Sequence, residues 1–180
     1  MDKEVCKKCN QIFENRRELS YSENEIGQFE EYFKITISEE YKYILQNYSG
    51  EYLKDDYEFK CIERTPLSDE DGYDGISFFF PLEGENNVYE IEKMYRKQLP
   101  FGFIPIGDVD GGNLLCFNKT TGGIFIWFHD QQDTNIYIVN NNMYDFINSI
   151  EKHVMKIDTS GIDETNFSEE LLMAMKEFKE

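Results

Sequence analysis

The chain has 180 residues, 40% of them hydrophobic, and its 36 acidic against 18 basic side chains give a net charge of −18. That length suits one domain with a sizeable core, and the acid excess disfavours nucleic acid as a direct partner, because phosphate neutralisation needs clustered Lys and Arg. No apolar run approaches the ~18 residues of a membrane span, and the start Met1-Asp2-Lys3-Glu4-Val5-Cys6 lacks an apolar signal core, so a cytoplasmic protein without membrane association is expected.

Residues 1–20 mix charges with weak periodicity and read as an N-terminal extension with room for one short helix. Cys6-Lys7-Lys8-Cys9 has zinc-knuckle spacing, but a knuckle supplies half of a site. Cys61 and Cys116 fall in apolar stretches and belong to no second CxxC. Reduced thiols on a frayed segment are the plainer expectation. The first clear helix start is Tyr21-Ser22-Glu23-Asn24-Glu25-Ile26, where Ser22 with Glu25 spells a capping box and Tyr21 with Ile26 a hydrophobic staple. Ile26, Phe29 and Phe33 then share a face. A second helix is capped by Ser38, with Glu39 and Glu40 at the positive end of its dipole. Tyr41, Ile44, Leu45 and Tyr48 follow helical spacing, and Gly50 suits the exit.

Strands are expected at Tyr57–Ile62 and Ile76–Phe80, around the loop Ser68-Asp69-Glu70-Asp71-Gly72-Tyr73-Asp74-Gly75. A third helix is expected over 87–98, with Val88, Ile91, Met94 and Tyr95 inward. The stretch 101–139 reads as an antiparallel meander. Its strands are Phe103–Ile106, placed at a sheet edge by Pro105, then Leu114–Phe117, Ile124–Phe128 and Ile136–Val139. Tight turns at Asp110-Gly111-Gly112, Lys119–Gly123 and Asp133-Thr134-Asn135 join them. A fourth helix is expected with Met143, Phe146, Ile147, Ile150 and Val154 inward. After a polar connection over 158–166, a fifth starts at Ser168 and carries Leu171, Met175 and Phe178. Helices, then strands, then helices give an α+β fold, a meander sheet packed against N-terminal and C-terminal helices. Its domain runs over 21–155, with the connection and last helix of 156–180 packed on it.

Catalytic constellations are poor. His129 precedes Asp130 at a strand end, a pairing that orients a general base only when the side chains meet, and no nucleophile motif accompanies it. His153 reads as a surface or capping residue late in a helix. Counted as an EF-hand from Asp69, position 5 is Tyr73, position 6 Asp74 and position 12 Phe80, so the calcium pattern fails. Asp108-Val109-Asp110-Gly111-Gly112-Asn113 lacks a P-loop Lys, and its acids would repel phosphate. No enzyme activity, cofactor or metal is expected. One charge feature does stand out. Between Thr65 and Glu92 lie eight acids and no base: Asp69, Glu70, Asp71, Asp74, Glu83, Glu85, Glu90 and Glu92. Tyr73, Phe78, Phe79, Phe80 and Tyr89 interleave with them, a mixture suited to an interface with a basic protein surface. A solvated acidic loop over ordinary core aromatics is the alternative.

The order of elements resembles the SUKH superfamily, which includes fungal cell-wall glucan-synthesis regulators and many bacterial immunity proteins of polymorphic toxin systems. The likeness is carried by Ile26 to Gly50, ending Ile37-Ser38-Glu39-Glu40-Tyr41-Lys42-Tyr43-Ile44-Leu45 and Asn47-Tyr48-Ser49-Gly50. It continues with Phe103-Ile104-Pro105-Ile106-Gly107 and Asp110-Gly111-Gly112-Asn113, then Gly122-Gly123-Ile124-Phe125-Ile126-Trp127-Phe128-His129-Asp130 and the helix at Met143. Ser38 stands where the family usually has Pro. The resemblance covers roughly residues 22–155. It implies an α+β fold, no catalytic residues and function by protein binding. The lone domain favours the bacterial immunity branch, whose members bind a cognate toxin. An acidic member suits a nuclease-type toxin with a basic surface, occluded through Asp69, Glu70, Asp71, Asp74, Glu83, Glu85, Asp108 and Asp110. A scaffold or regulatory module in cell-wall synthesis or signalling is the rival reading.

Overall fold

Helix α1 (Lys3–Ile12) starts at Asp2, whose carboxylate accepts the Glu4 backbone N–H at 2.8 Å. Val5, Cys9 and Ile12, one face at helical spacing, are buried, and the helix packs on the last described helix of the chain. The segment read as a frayed extension is therefore a docked helix. Its short apolar face, three residues among many charges, hides the pattern. The computed structural model describes residues 2–18, 20–131 and 134–153. The expected connection and fifth helix, and Val154, lie outside them.

Helix α2 (Glu23–Phe33) carries the full capping box: Ser22 accepts from the Glu25 backbone N–H, and the Glu25 carboxylate accepts from the Ser22 N–H at 2.8 Å. Ile26, Phe29 and Phe33 are buried as expected. Helix α3 (Glu39–Asn47) is capped by Ser38 and buries Tyr41, Ile44 and Leu45, with Tyr48 just beyond. Gly50 then takes φ +83° and donates its N–H to the Phe79 carbonyl at 2.7 Å, turning the chain onto the sheet.

The main sheet is antiparallel, in the order β3 (Phe78–Phe79), β4 (Phe103–Val109), β5 (Asn113–Asn118), β6 (Ile124–Trp127), β7 (Ile136–Asn140). The last four strands are the expected meander, with a short 3-10 turn at Asp110–Gly112 between β4 and β5. Pro105 does not mark an edge strand, because β4 lies between β3 and β5. β3 meets β4 at Asp108 and Gly107, so Pro105 sits beyond its end, and the β4–β5 register slips between Pro105 and Gly107. That irregularity absorbs the missing N–H donor. Helix α4 (Val88–Tyr95), capped by Asn87, buries Val88 and Ile91 but leaves Met94 64% exposed. At 100° per residue Met94 falls well off the direction shared by Val88, Ile91 and Tyr95.

A second sheet was not expected. Its order is β2 (Tyr73–Asp74), β1 (Tyr57–Lys60), β8 (Ile150–Lys152), all antiparallel. The fourth expected helix stops after seven residues as α5 (Met143–Ser149), and Ile150 switches to extended backbone opposite Phe59. Ile150 is fully buried either way. An inward residue three positions after Ile147 fits a helix and a strand start equally well, so periodicity does not separate them. No helix among the described residues is long and apolar enough to cross a membrane.

All four cysteines are free thiols. Burial, and then the neighbouring Cys6, push the Cys9 thiol up to about 12, and burial raises Cys116 as well. A thiol held this far above neutrality is a poor nucleophile and a poor metal ligand. At pH 8 a thiol-reactive disulfide dye should label Cys6 in the native protein and leave Cys9 and Cys116 unlabelled until denaturant is added. Rapid native labelling of Cys9 would contradict the docking of α1.

Candidate partner-binding surface

The acid-rich loop from Thr65 to Asp74 is built by its own short side chains. Thr65 and Ser68 exchange bonds: Ser68 Oγ accepts the Thr65 N–H at 2.8 Å, and Thr65 Oγ1 accepts the Ser68 N–H at 3.2 Å. Asp69 Oδ1 accepts the backbone N–H groups of Asp71 and Tyr73, at 3.0 and 2.8 Å. This is the Asx-turn chemistry that lets an acid replace a ladder partner. Gly72 closes the turn at φ +85°, and the Asp69 N–H returns to the Tyr73 carbonyl at 3.0 Å. The chain then enters β2 beside β1.

Asp74 anchors the loop from beneath. It is 3% exposed, and its Oδ2 accepts from Thr65 Oγ1 (2.8 Å), Cys61 Sγ (3.0 Å) and Ser68 Oγ (3.1 Å). Burial, and then the Asp74 carboxylate, push the Cys61 thiol up. Asp69 is tied at its other oxygen: His153 Nε2 donates to Oδ2 at 2.6 Å. The Tyr73 N–H and the His153 ring hold the Asp69 carboxyl below the usual carboxylate range. The Tyr73 ring stacks on His153 at 4.1 Å with 8° between planes, while its hydroxyl donates to Glu151 and is pushed up to about 12.

The eight residues singled out from the sequence therefore divide. Asp69 and Asp74 hold the loop. Glu70 and Asp71 are exposed at its tip. Asp108 is half-buried on β4, opposite Phe78, and Asp110 opens the 3-10 turn. Val109, between them, lines the same cavity as Asp69 and Asp74, so the end of β4 adjoins the loop. Glu83 and Glu85 are exposed on a different turn, where Glu83 lies beside Arg17 and Gly50 and its N–H donates to the Tyr21 hydroxyl at 3.3 Å. Besides His153, Arg64 and Lys60 from outside the acidic segment approach the loop: Arg64 donates to the Asp69 carbonyl at 2.6 Å, and Lys60 Nζ lies 5.2 Å from the Tyr73 ring. His129, the sequence's candidate base, is exposed and meets Asn113 Oδ1 at 3.3 Å.

His153 is the residue that sequence reasoning misplaced. It is not late in a helix but at the end of β8, half-buried, 84 positions from its partner Asp69. Only the β1–β8 pairing brings it there, and no local pattern announces that pairing.

Asp74→Ala should lower stability by about 1–3 kcal/mol, because three donors lose a buried acceptor. Glu70→Gln with Asp71→Asn should stay within about 0.5 kcal/mol, as exposed changes do. Urea unfolding measures both, and equal costs would contradict this division of labour.

No curated protein and no solved structure shows a significant match to the chain. The model of the SMI1 / KNR4 family (SUKH-1) matches residues 21–149, from the residue before the α2 capping box to the end of α5. With the capped α2–α3 pair and the four-stranded meander inside that span, the chain belongs to the SMI1 / KNR4 family (SUKH-1).

Proposed function

We propose that this chain is an immunity protein that binds a cognate toxin domain in the cytoplasm and covers its active site or substrate groove. The observation that carries the reading is the base-free acidic segment from Thr65 to Glu92, whose loop is held in one shape by Asp69 and Asp74. A loop already ordered loses little further entropy on binding. Membership of a SUKH family supports binding in place of turnover. A nuclease-type toxin offers a basic cleft that must hold phosphates, and a negative surface suits it. Charge steering of this kind raises association to about 10⁸–10⁹ M⁻¹s⁻¹ at low salt. In this reading Glu70 and Asp71, with Glu83, Glu85 and the turn at Asp108 to Asp110, meet the partner, while Asp69 and Asp74 present the loop.

The test uses the toxin domain encoded next to this chain, with binding followed by stopped flow across a salt series. The wild-type protein should form a complex and abolish toxin activity. Combining Glu70→Gln, Asp71→Asn, Glu83→Gln and Glu85→Gln should slow association several-fold at low salt and flatten its salt dependence, with the melting temperature unchanged. Unchanged association in the folded variant would move the interface away from these acids. Failure of the wild-type chain to bind any neighbouring toxin would favour a scaffold or regulatory role.

A further inference from the structure

Glu58, Asp69 and His153 come from β1, the acidic loop and the end of β8, and each offers one ligand atom within 4.8 Å of the other two. His153 Nε2 is 2.6 Å from Asp69 Oδ2 and 3.8 Å from Glu58 Oε2. None of the three is on the open surface: the side chains of His153, Asp69 and Glu58 are 15%, 10% and 23% exposed. Convergence of one imidazole and two carboxylates from three separate elements is the donor set of a divalent cation of borderline hardness. Zinc bonds of roughly 2.0–2.1 Å at tetrahedral angles put neighbouring ligand atoms about 3.3 Å apart. To reach that spacing Asp69 would recede from His153 by about 0.7 Å and Glu58 approach by about 0.5 Å. Glu58 and Asp69, within 4.8 Å of each other, would close as well.

A second observation points the same way. Asp74 lines one cavity of about 150 Å³ together with Glu58, Asp69 and Tyr73. Its Oδ1 is buried and finds no hydrogen-bond donor among the described residues. A buried carboxylate oxygen without a donor is costly. A cation held by three protein ligands keeps water in its open position. Such a water donates hydrogen bonds, and the cavity has room for it at roughly 30 Å³ per water. Asp74 would then steady the bound water as Tyr73, stacked on the imidazole, steadies His153.

We propose that Glu58, Asp69 and His153 form a binding site for a divalent cation of the zinc class, fastening the acidic loop to the small sheet. On binding, His153 Nε2 gives up the proton it now donates to Asp69, either to Nδ1 or to solvent, and its lone pair takes the metal. The two carboxylates balance the dication. The cation adds a cross-link to a fold whose core stands without it. This inference is independent of any toxin, and the CxxC on α1 is no part of it.

The test titrates the chelator-treated full chain with zinc(II) by calorimetry and with cobalt(II) by visible absorption. One saturable site is expected, and the cobalt spectrum should lack thiolate-to-metal charge transfer. Glu58→Gln and His153→Gln should each weaken zinc by more than about tenfold, while Cys6→Ser and His129→Ala leave it unchanged. Circular dichroism checks that each variant folds, and the wild-type cobalt spectrum reads the ligand type whether or not they do. No saturable binding, a thiolate band removed by Cys6→Ser, or full affinity in folded Glu58→Gln and His153→Gln would each overturn the proposal.

Discussion

Phe146 sits between two sheets that share no strand. Its ring lies 5.1 Å from Phe59 of β1 and 6.2 Å from Phe79 of β3. From Phe79 the contacts continue to Phe13 (6.2 Å) and Tyr41 (6.3 Å), and from Tyr41 to Phe29 (6.1 Å). One aromatic array thus joins α5, both sheets, the exit of α1, and helices α2 and α3. Pairs of this kind add about 0.5–1.5 kcal/mol each beyond the area they bury. Their larger effect is positional. A seven-residue helix such as α5 is unstable alone, and the packing of Phe146 keeps it in place and delivers β8 to β1.

The acidic loop depends on that delivery. Loops are ordinarily the mobile part of a fold. This one is held by Asp74 from below and by Asp69 at its side, and the partner of Asp69 is His153, which arrives on β8. Two acids in a run of four thus act as structure, and Glu70 and Asp71 remain to face solvent. A net charge of −18 makes the protein acidic overall, but only an ordered group of charges gives a surface with a shape.

Much of the helical and meander architecture is readable residue by residue. Ser22 and Glu25 announce α2, Ser38 announces α3, and paired glycines and tight turns separate β4 to β6. These signals are local, and local chemistry decides them. Of the small sheet only β1, inside the strand expected at Tyr57–Ile62, is readable, and its two neighbours are not, for the opposite reason. Tyr73–Asp74 and Ile150–Lys152 are too short to show a period, and each becomes a strand only because β1 offers a partner, across the acidic loop for the first and far away in sequence for the second. The candidate surface was legible as charge but not as geometry: composition marks Asp69 and Asp74 as acids like their neighbours, and only their partners separate them. Glu58, Tyr73 and His153 carried no signal at all as a group.

The tip of the acidic loop is carried by an ordered frame tied to β1 and β8. Amide hydrogen exchange of the free protein tests it most directly. The Asp71 and Tyr73 amides, both bonded to Asp69, should exchange far more slowly than an unstructured peptide, and the Tyr73 amide at a rate close to that of Phe59 in β1. Exchange of both amides at the unstructured rate while β1 stays protected would show that Asp69 and Asp74 do not order the loop.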